Sequence, residues 1–232
     1  MQNQKCLILV LVGVFVLEAF AAKGKSSKKS LWPIKFPVKN NRGTTYYSME
    51  RLPQSKFEDA SKFAVKHLKV NTGSANTYWK EELEKNLSVV IFKPGTQTII
   101  GLNILDIRTL HTKSKFVCDR IFDMFSIDKY LISEGLAVDP NYRRQGLGEA
   151  LLRVHVTICL EQHVDITASL FISDSSNRLA NKLNYTCLDR LSAENLAKMK
   201  EKNPEKYKDT NEIACKYLAY SDIEANDLCV IM

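Results

Sequence analysis

Apolar and polar residues change their spacing repeatedly along this chain, and the changes mark out its elements. Thr45 to Leu52 reads as a first strand. Pro53 then opens a helix through Leu68, with Phe57, Ala60, Ala64 and Leu68 on one face at three- and four-residue steps. Tyr78 to Leu87 predicts a second helix, charged outward with Leu83 and Leu87 inward. Val89 to Lys93 and Ile99 to Ile107 are β-rich runs separated by Pro94-Gly95, a hairpin signal. Val117 to Phe125 reads as helix and Tyr130 to Val138 as strand. After a polar loop, the pattern gives a helix from Glu149 to Gln162, a strand from Ile166 to Ile172 and a helix from Ser175 to Leu183. Strands at Tyr185 to Leu191 and Ile213 to Tyr220, with a charged helix from Ala193 to Lys202 between them, close the series. This order is a mixed α/β (α+β) domain over residues 43–220, not a bundle or a sandwich.

The N-terminal pattern is different. Cys6 to Leu17 is unbroken apolar sequence, and Ala19-Phe20-Ala21 places small residues where a signal peptidase needs them. Residues 1–22 therefore read first as a signal peptide, which sends the domain into the secretory pathway, secreted or lumenal. A second reading extends the apolar run to Ala22, near the minimum for a bilayer span. The lysines that follow would then hold the domain in the cytosol, anchored to the membrane. A third takes the segment as a leader without consequence. At the other end, Cys229-Val230-Ile231-Met232 matches a prenylation pattern, but the acidic stretch before it argues for a chance match in a tail of residues 221–232. Asn86-Leu87-Ser88 and Asn184-Tyr185-Thr186 are glycosylation sequons that matter only in a lumenal domain.

Charge and composition narrow the function. The chain of 232 residues carries a net charge of +7. All of that excess lies in residues 23–42, which hold six lysines and Arg42 with no acid and read as a basic linker. The domain itself is balanced, so nucleic acid is not an expected partner. Six scattered cysteines form no C-x-x-C pair, and His111, His155 and His163 are too far apart for a ligand set, so no metal is expected. Cys118, Cys159, Cys187 and Cys215 read as buried thiols rather than a disulfide framework.

One loop carries chemistry. Asp139-Pro140-Asn141-Tyr142-Arg143-Arg144-Gln145-Gly146-Leu147-Gly148 joins a strand to the long helix. Two glycines there let the backbone turn tightly, and the amides of Arg143 to Gly148 face one concavity at the positive end of a helix dipole. Such a site suits a diphosphate, with Arg143 and Arg144 adding charge. It is neither a P-loop nor a dinucleotide fingerprint, because the Gly-Lys-Ser/Thr and G-x-G-x-x-G patterns are absent.

The string GLAVDPNYRRQGLG, Gly135 to Gly148, resembles motif A of the GNAT acetyltransferase superfamily, and SDSSNRLANKLNY, Ser173 to Tyr185, resembles its motif B. Together with Asn103–Arg108, the Phe-Asp-Met-Phe helix and Tyr130-Leu131, they are similar to the insect arylalkylamine N-acetyltransferase-like branch over roughly residues 45–220. The resemblance implies a GNAT-type central mixed sheet with flanking helices, in which the fourth and fifth predicted strands splay apart. It implies acetyl-CoA as cosubstrate, its pantetheine arm beside Leu136, Ala137 and Val138, its diphosphate on the amides of Arg143, Arg144, Gln145, Gly146, Leu147 and Gly148, and Asn177 touching the arm. The implied reaction is acetyl transfer to a small amine, an arylalkylamine in that branch. Glu134 is the candidate base, and Ser173 and Ser176 match serines that assist the leaving thiolate, although serines before a helix also serve as N-caps. The branch carries an acidic element after its first helix, whereas Lys69 to Ser74 has no carboxylate here. A non-catalytic acyl-CoA-binding module is therefore the competing functional class.

Overall fold

The computed structural model describes residues 31–40, 43–68, 75–112, 117–207 and 210–220. The predicted leader 1–22, residues 23–30 of the predicted linker, Lys69–Ser74 and the tail with Cys229 lie outside the described residues. In chain order the elements are β1 (Ile34–Asn40), β2 (Gly43–Arg51), α1 (Phe57–Leu68), α2 (Ala75–Glu84), β3 (Val89–Phe92), β4 (Ile99–Thr109), α3 (Arg120–Phe125), β5 (Lys129–Val138), α4 (Leu147–Gln162), β6 (Ile166–Phe171), α5 (Asp174–Lys182), β7 (Thr186–Arg190), α6 (Ala193–Lys202), α7 (Pro204–Tyr207) and β8 (Ala214–Ala219). The strands form one mixed sheet in the order β1-β2-β3-β4-β5-β6-β8-β7. Every described pairing is antiparallel except β5–β6, which α4 connects as a parallel crossover.

Strand β1 corrects the sequence reading. Its residues were assigned to a basic linker on charge, yet Ile34, Phe36 and Val38 turn toward the core while Lys35 and Pro37 are exposed. The period of two was present beneath the lysines. Phe36 stacks on Tyr47 of β2 at 6.0 Å, and Trp32 donates its indole N–H to Glu161 of α4 at 2.8 Å. Lysine and proline on an edge strand discourage pairing with a further chain. Helix α2 begins and ends three residues before its predicted limits, and Asn86 takes a left-handed φ of 59° just after it.

Two hydrophobic layers cover the sheet near the motif A loop. On one face α4 sets Leu147, Leu151, Val154 and Ile158 against Ile91, Ile100, Leu105 and Leu131. On the other, Ala60 and Phe63 of α1 and Trp79 and Leu83 of α2 pack on Val90, Leu102, Ile104 and Ala137. Farther along that second face, Ile121 and Phe122 of α3 pack on Tyr130 and Ile132. A disulfide joins Cys118, in the turn before α3, to Cys215 of β8, with Cα atoms 5.5 Å apart. This overturns the expectation of four buried thiols. The two cysteines are 97 residues apart in sequence, and the packing of the α3 region on the sheet, with β8 beside β6, brings them together. Cys159 is a free buried thiol and Cys187 a free exposed one.

Candidate functional site

The site begins where β5 and β6 separate. Their described ladder has the single pair Leu131↔Thr167, while β5 continues to Val138. The other edge of β5 stays bonded to β4 along its length, but its register slips between Ile104 and Leu105, which face Gly135 and Ser133. Glu134 is therefore the extra residue of a β-bulge, a device that re-aims a side chain and bends its strand.

Strand alternation then decides which amides face the gap. Asp139 donates its N–H to the Ile100 carbonyl of β4 at 2.9 Å. Counting back by two, Ala137 also points its N–H at β4, and the N–H groups of Val138 and Leu136 point to the open side. Of the three residues predicted to face the pantetheine arm, two present an amide and Ala137 instead packs under α1 and α2. Gly135 lies under the same helices, and a Cβ there would sit 2.5 Å from Leu68 Cδ1 and 3.2 Å from Trp79.

The loop after β5 forms the expected concavity. Asp139 caps it, its carboxylate accepting from Asn141 N–H at 2.8 Å. Arg144 and Gly146 both take left-handed backbone, φ 61° and 80°, which turns successive amides to one side. Gly146 is the N-cap of α4, and the first helical bond runs from Ala150 N to Gly146 O, so the amides of Leu147, Gly148 and Glu149 lie ahead of the ladder. Leu147 itself is buried and offers only its backbone. Gln145 accepts from the Tyr47 hydroxyl at 2.9 Å, which ties the loop to β2. Arg143 is exposed, and its Nε donates to the Val138 carbonyl at 3.1 Å, while Arg144 is exposed at the loop surface.

Motif B contributes differently from its assignment. Ser173 and Ser176 form a reciprocal capping box: Ser173 Oγ accepts from Ser176 N–H at 3.2 Å, and Ser176 Oγ accepts from Ser173 N–H at 3.1 Å. Their hydroxyls also meet at 3.0 Å, and Ser176 donates to the Ser173 carbonyl at 2.8 Å. The pair predicted to serve the thiolate is committed to starting α5, because an N-cap needs these acceptors. Asn177 is buried, with its Nδ2 donating to the carbonyls of Phe171, Ser173 and Glu212. Its Oδ1 has no hydrogen-bond partner among the described residues.

Glu134 lies on the face shared by α2 and α3, and four residues that the sequence reading passed over meet it there. Arg108 of β4 is 3.2 Å away, and the Tyr78 hydroxyl of α2 donates at 3.5 Å. Oxygens of Glu82, Asp106 and Glu134 all lie within 4.8 Å of one another, with Lys85 bridging Glu82 and Asp106 at 2.7 and 2.6 Å. Desolvation pushes the Glu134 carboxyl above its ordinary range, opposed by Arg108 and reinforced by the neighbouring acids. Burial, with Glu134 alongside, also raises the Tyr78 phenol.

Residues 71–185 match the sequence model of the acetyltransferase (GNAT) family. The chain carries a GNAT-family domain. Solved structures place this GNAT domain in a definite fold neighbourhood. Arylalkylamine N-acetyltransferase 7 of the yellow fever mosquito Aedes aegypti matches with a TM-score of 0.69 at 22% identity, over 85% of this chain and 100% of that one. A Drosophila melanogaster polyamine N-acetyltransferase, which catalyses formation of N-acetylagmatine, matches at 0.59 and 13% identity, over 75% and 99%. Arabidopsis thaliana NAA60 in complex with acetyl-CoA matches at 0.56 and 14%, over 75% and 99%. At such identities the likeness establishes a common fold. A search of curated protein sequences gave no match. The parted β5–β6 pair and the bulge are this GNAT domain's own geometry, read from its register.

Proposed function

We propose that the protein is an acetyl-CoA-dependent N-acetyltransferase acting on a small amine, with an arylalkylamine as the first acceptor to test. The observation that carries this reading is the bulge, which sets the Glu134 carboxylate beside Arg108 and Tyr78 on the strand whose other edge parts from β6. The Leu136 and Val138 amides are donors of the kind that hold a pantetheine arm and polarise a thioester carbonyl. The amides and arginines of residues 143–148 suit the diphosphate. An acceptor amine is protonated at neutral pH; Glu134, with its raised affinity for protons, removes the proton before the nitrogen attacks. The carbon–nitrogen bond forms through a tetrahedral intermediate as the carbon–sulfur bond breaks. The nitrogen gives up its second proton as the intermediate collapses, so that of the two protons it loses one leaves on the departing thiolate and the other passes to solvent. Structural relatives bearing arylalkylamine and polyamine N-acetyltransferase names support an amine acceptor.

An amine panel of tryptamine, dopamine and agmatine with acetyl-CoA, read as CoA release, tests the proposal. Turnover with at least one amine is expected, and Glu134→Gln should lower kcat by about 100-fold or more without weakening CoA binding. CoA binding with no amine-dependent turnover would make the domain a non-catalytic module. Entry into the secretory pathway is proposed on the 1–22 segment, and the Cys118–Cys215 disulfide supports it, since such bonds persist in oxidising compartments.

A further inference from the structure

A buried polar circuit lies at the point where β5 and β6 part, and neither the bulge nor the diphosphate loop accounts for it. Ser133 is the next residue of β5 that would extend the ladder past Leu131↔Thr167, with Ser169 as its partner. Its N–H instead finds the Ser169 side-chain Oγ at 3.0 Å, a hydroxyl interposed between the two strands. The Ser133 hydroxyl donates to Asn103 Oδ1 of β4 at 2.6 Å. Asn103 Nδ2 donates to the Leu151 carbonyl and to His155 Nε2 of α4, both at 2.8 Å. Because Asn103 supplies that proton, Nε2 must accept, and the proton of the neutral ring lies on Nδ1. Nδ1 is 2.9 Å from the Thr167 hydroxyl, with the Tyr185 hydroxyl at 3.3 Å. Thr167 and Ser169 are two residues apart on β6, so the circuit closes.

Asn103 and His155 are fully buried, Thr167 is 2% exposed and Ser169 3%. Five polar side chains in an apolar layer are costly unless all are partnered, and here each has its partner. A parallel ladder left to itself would go on pairing. We propose that this ring fixes where β5 and β6 separate and so sets the width of the gap for the acyl-CoA arm, with Ser169 and His155 as positioning residues. The inference rests on the reading that acetyl-CoA occupies the gap. The Ser169 hydroxyl holds the ladder amide of Ser133 at side-chain distance and stops the strands from closing. The Asn103–His155 link ties that stop to α4, whose first turn receives the diphosphate, so both ends of the cosubstrate site share one anchor.

The test uses the intact protein and CoA itself. Ser169→Ala should raise the Kd for CoA and the KM for acetyl-CoA about tenfold while leaving the amine KM and the thermal midpoint near those of the parent, and Ser169→Thr, which keeps the hydroxyl, should restore both. Thr167→Val breaks the circuit at its other end and should act in the same direction. Amide exchange on the unaltered protein supplies a readout that needs no variant: Ser133 should be protected without CoA, whereas Leu136 and Val138 should become protected only when CoA is added. Unchanged CoA affinity in Ser169→Ala, or a Ser133 amide that exchanges as fast as that of Leu136, overturns the ring's role while leaving the acetyltransferase reading intact. A parent protein that keeps Ser133 protected but binds no CoA removes the acetyltransferase reading and this inference's purpose, and leaves the ring as a fold device.

Discussion

Glu134 and Arg108 form a pair whose two members pull the carboxyl in opposite directions. Burial raises the affinity of Glu134 for its proton, and Arg108 at 3.2 Å lowers it. If the ionised carboxylate accepts the amine's proton, activity is present above the Glu134 pKa and lost as pH falls through it. Replacing Arg108 by Gln removes the lowering influence, so the acid limb of the kcat/KM profile should move to higher pH. The loss of rate should be several-fold larger at pH 6 than at pH 9. A limb that stays in place would separate Glu134 from catalysis. The sequence offered Glu134 because it stands just before the expected splay, but it hid the partners. Asp106 and Arg108 follow seven buried β4 residues, Ile99 to Leu105, and only the pairing with β5 shows that they share a face with Glu134. His155 was equally opaque: a histidine within an apolar helix reads as an ordinary position until Asn103 and Thr167 arrive from two strands.

At the scale of elements, local signals were readable and cross-strand ones were not. Gly146 announced the αL turn of the anion loop, and the serines before α5 carried the capping alternative in their own spacing. The bulge could not be read, because two residues facing one is a property of two strands together. β1 was missed for another reason: seven positive charges in twenty residues outweighed the Ile34-Phe36-Val38 alternation. Its contribution is measurable. Besides covering Tyr47 and Met49 of β2, this segment brings Trp32 under the guanidinium of Arg51 at 5.0 Å, and Arg51 pairs with Glu161 of α4. A chain shortened to begin at Gly43 leaves β2 as an apolar edge and removes these anchors. Its thermal midpoint should fall by about 10 °C or more, with aggregation on heating, since each large apolar side chain uncovered costs roughly 1.5–3 kcal/mol. A midpoint within about 2 °C of the parent's would show that β1 is dispensable.

For the whole molecule, two chemically independent marks bear on the same question of compartment. The Cys118–Cys215 bond closes a long loop and ties the turn before α3, one wall beside the Glu134 cluster, to β8, the strand beyond β6 in the sheet. Closing a loop of that size contributes about 4.7 kcal/mol through the unfolded state. Both sequon asparagines are exposed, each on left-handed backbone just outside a helix, Asn86 after α2 and Asn184 after α5. A domain that enters the secretory lumen meets both oxidant and glycosyl donor; one held in the cytosol meets neither. Protein recovered from a eukaryotic secretory host should therefore lose mass on enzymatic removal of N-glycans, and the loss should be abolished by changing Asn86 and Asn184 to Gln. The same material should show two fewer alkylatable thiols before reduction than after, and reduction should lower its thermal midpoint by on the order of 10 °C. Glycan-free protein with Cys118 and Cys215 both alkylated in its native state would place the domain on the cytosolic side, with the N-terminal segment acting as an anchor and the acetyl-CoA of the cytosol directly at hand.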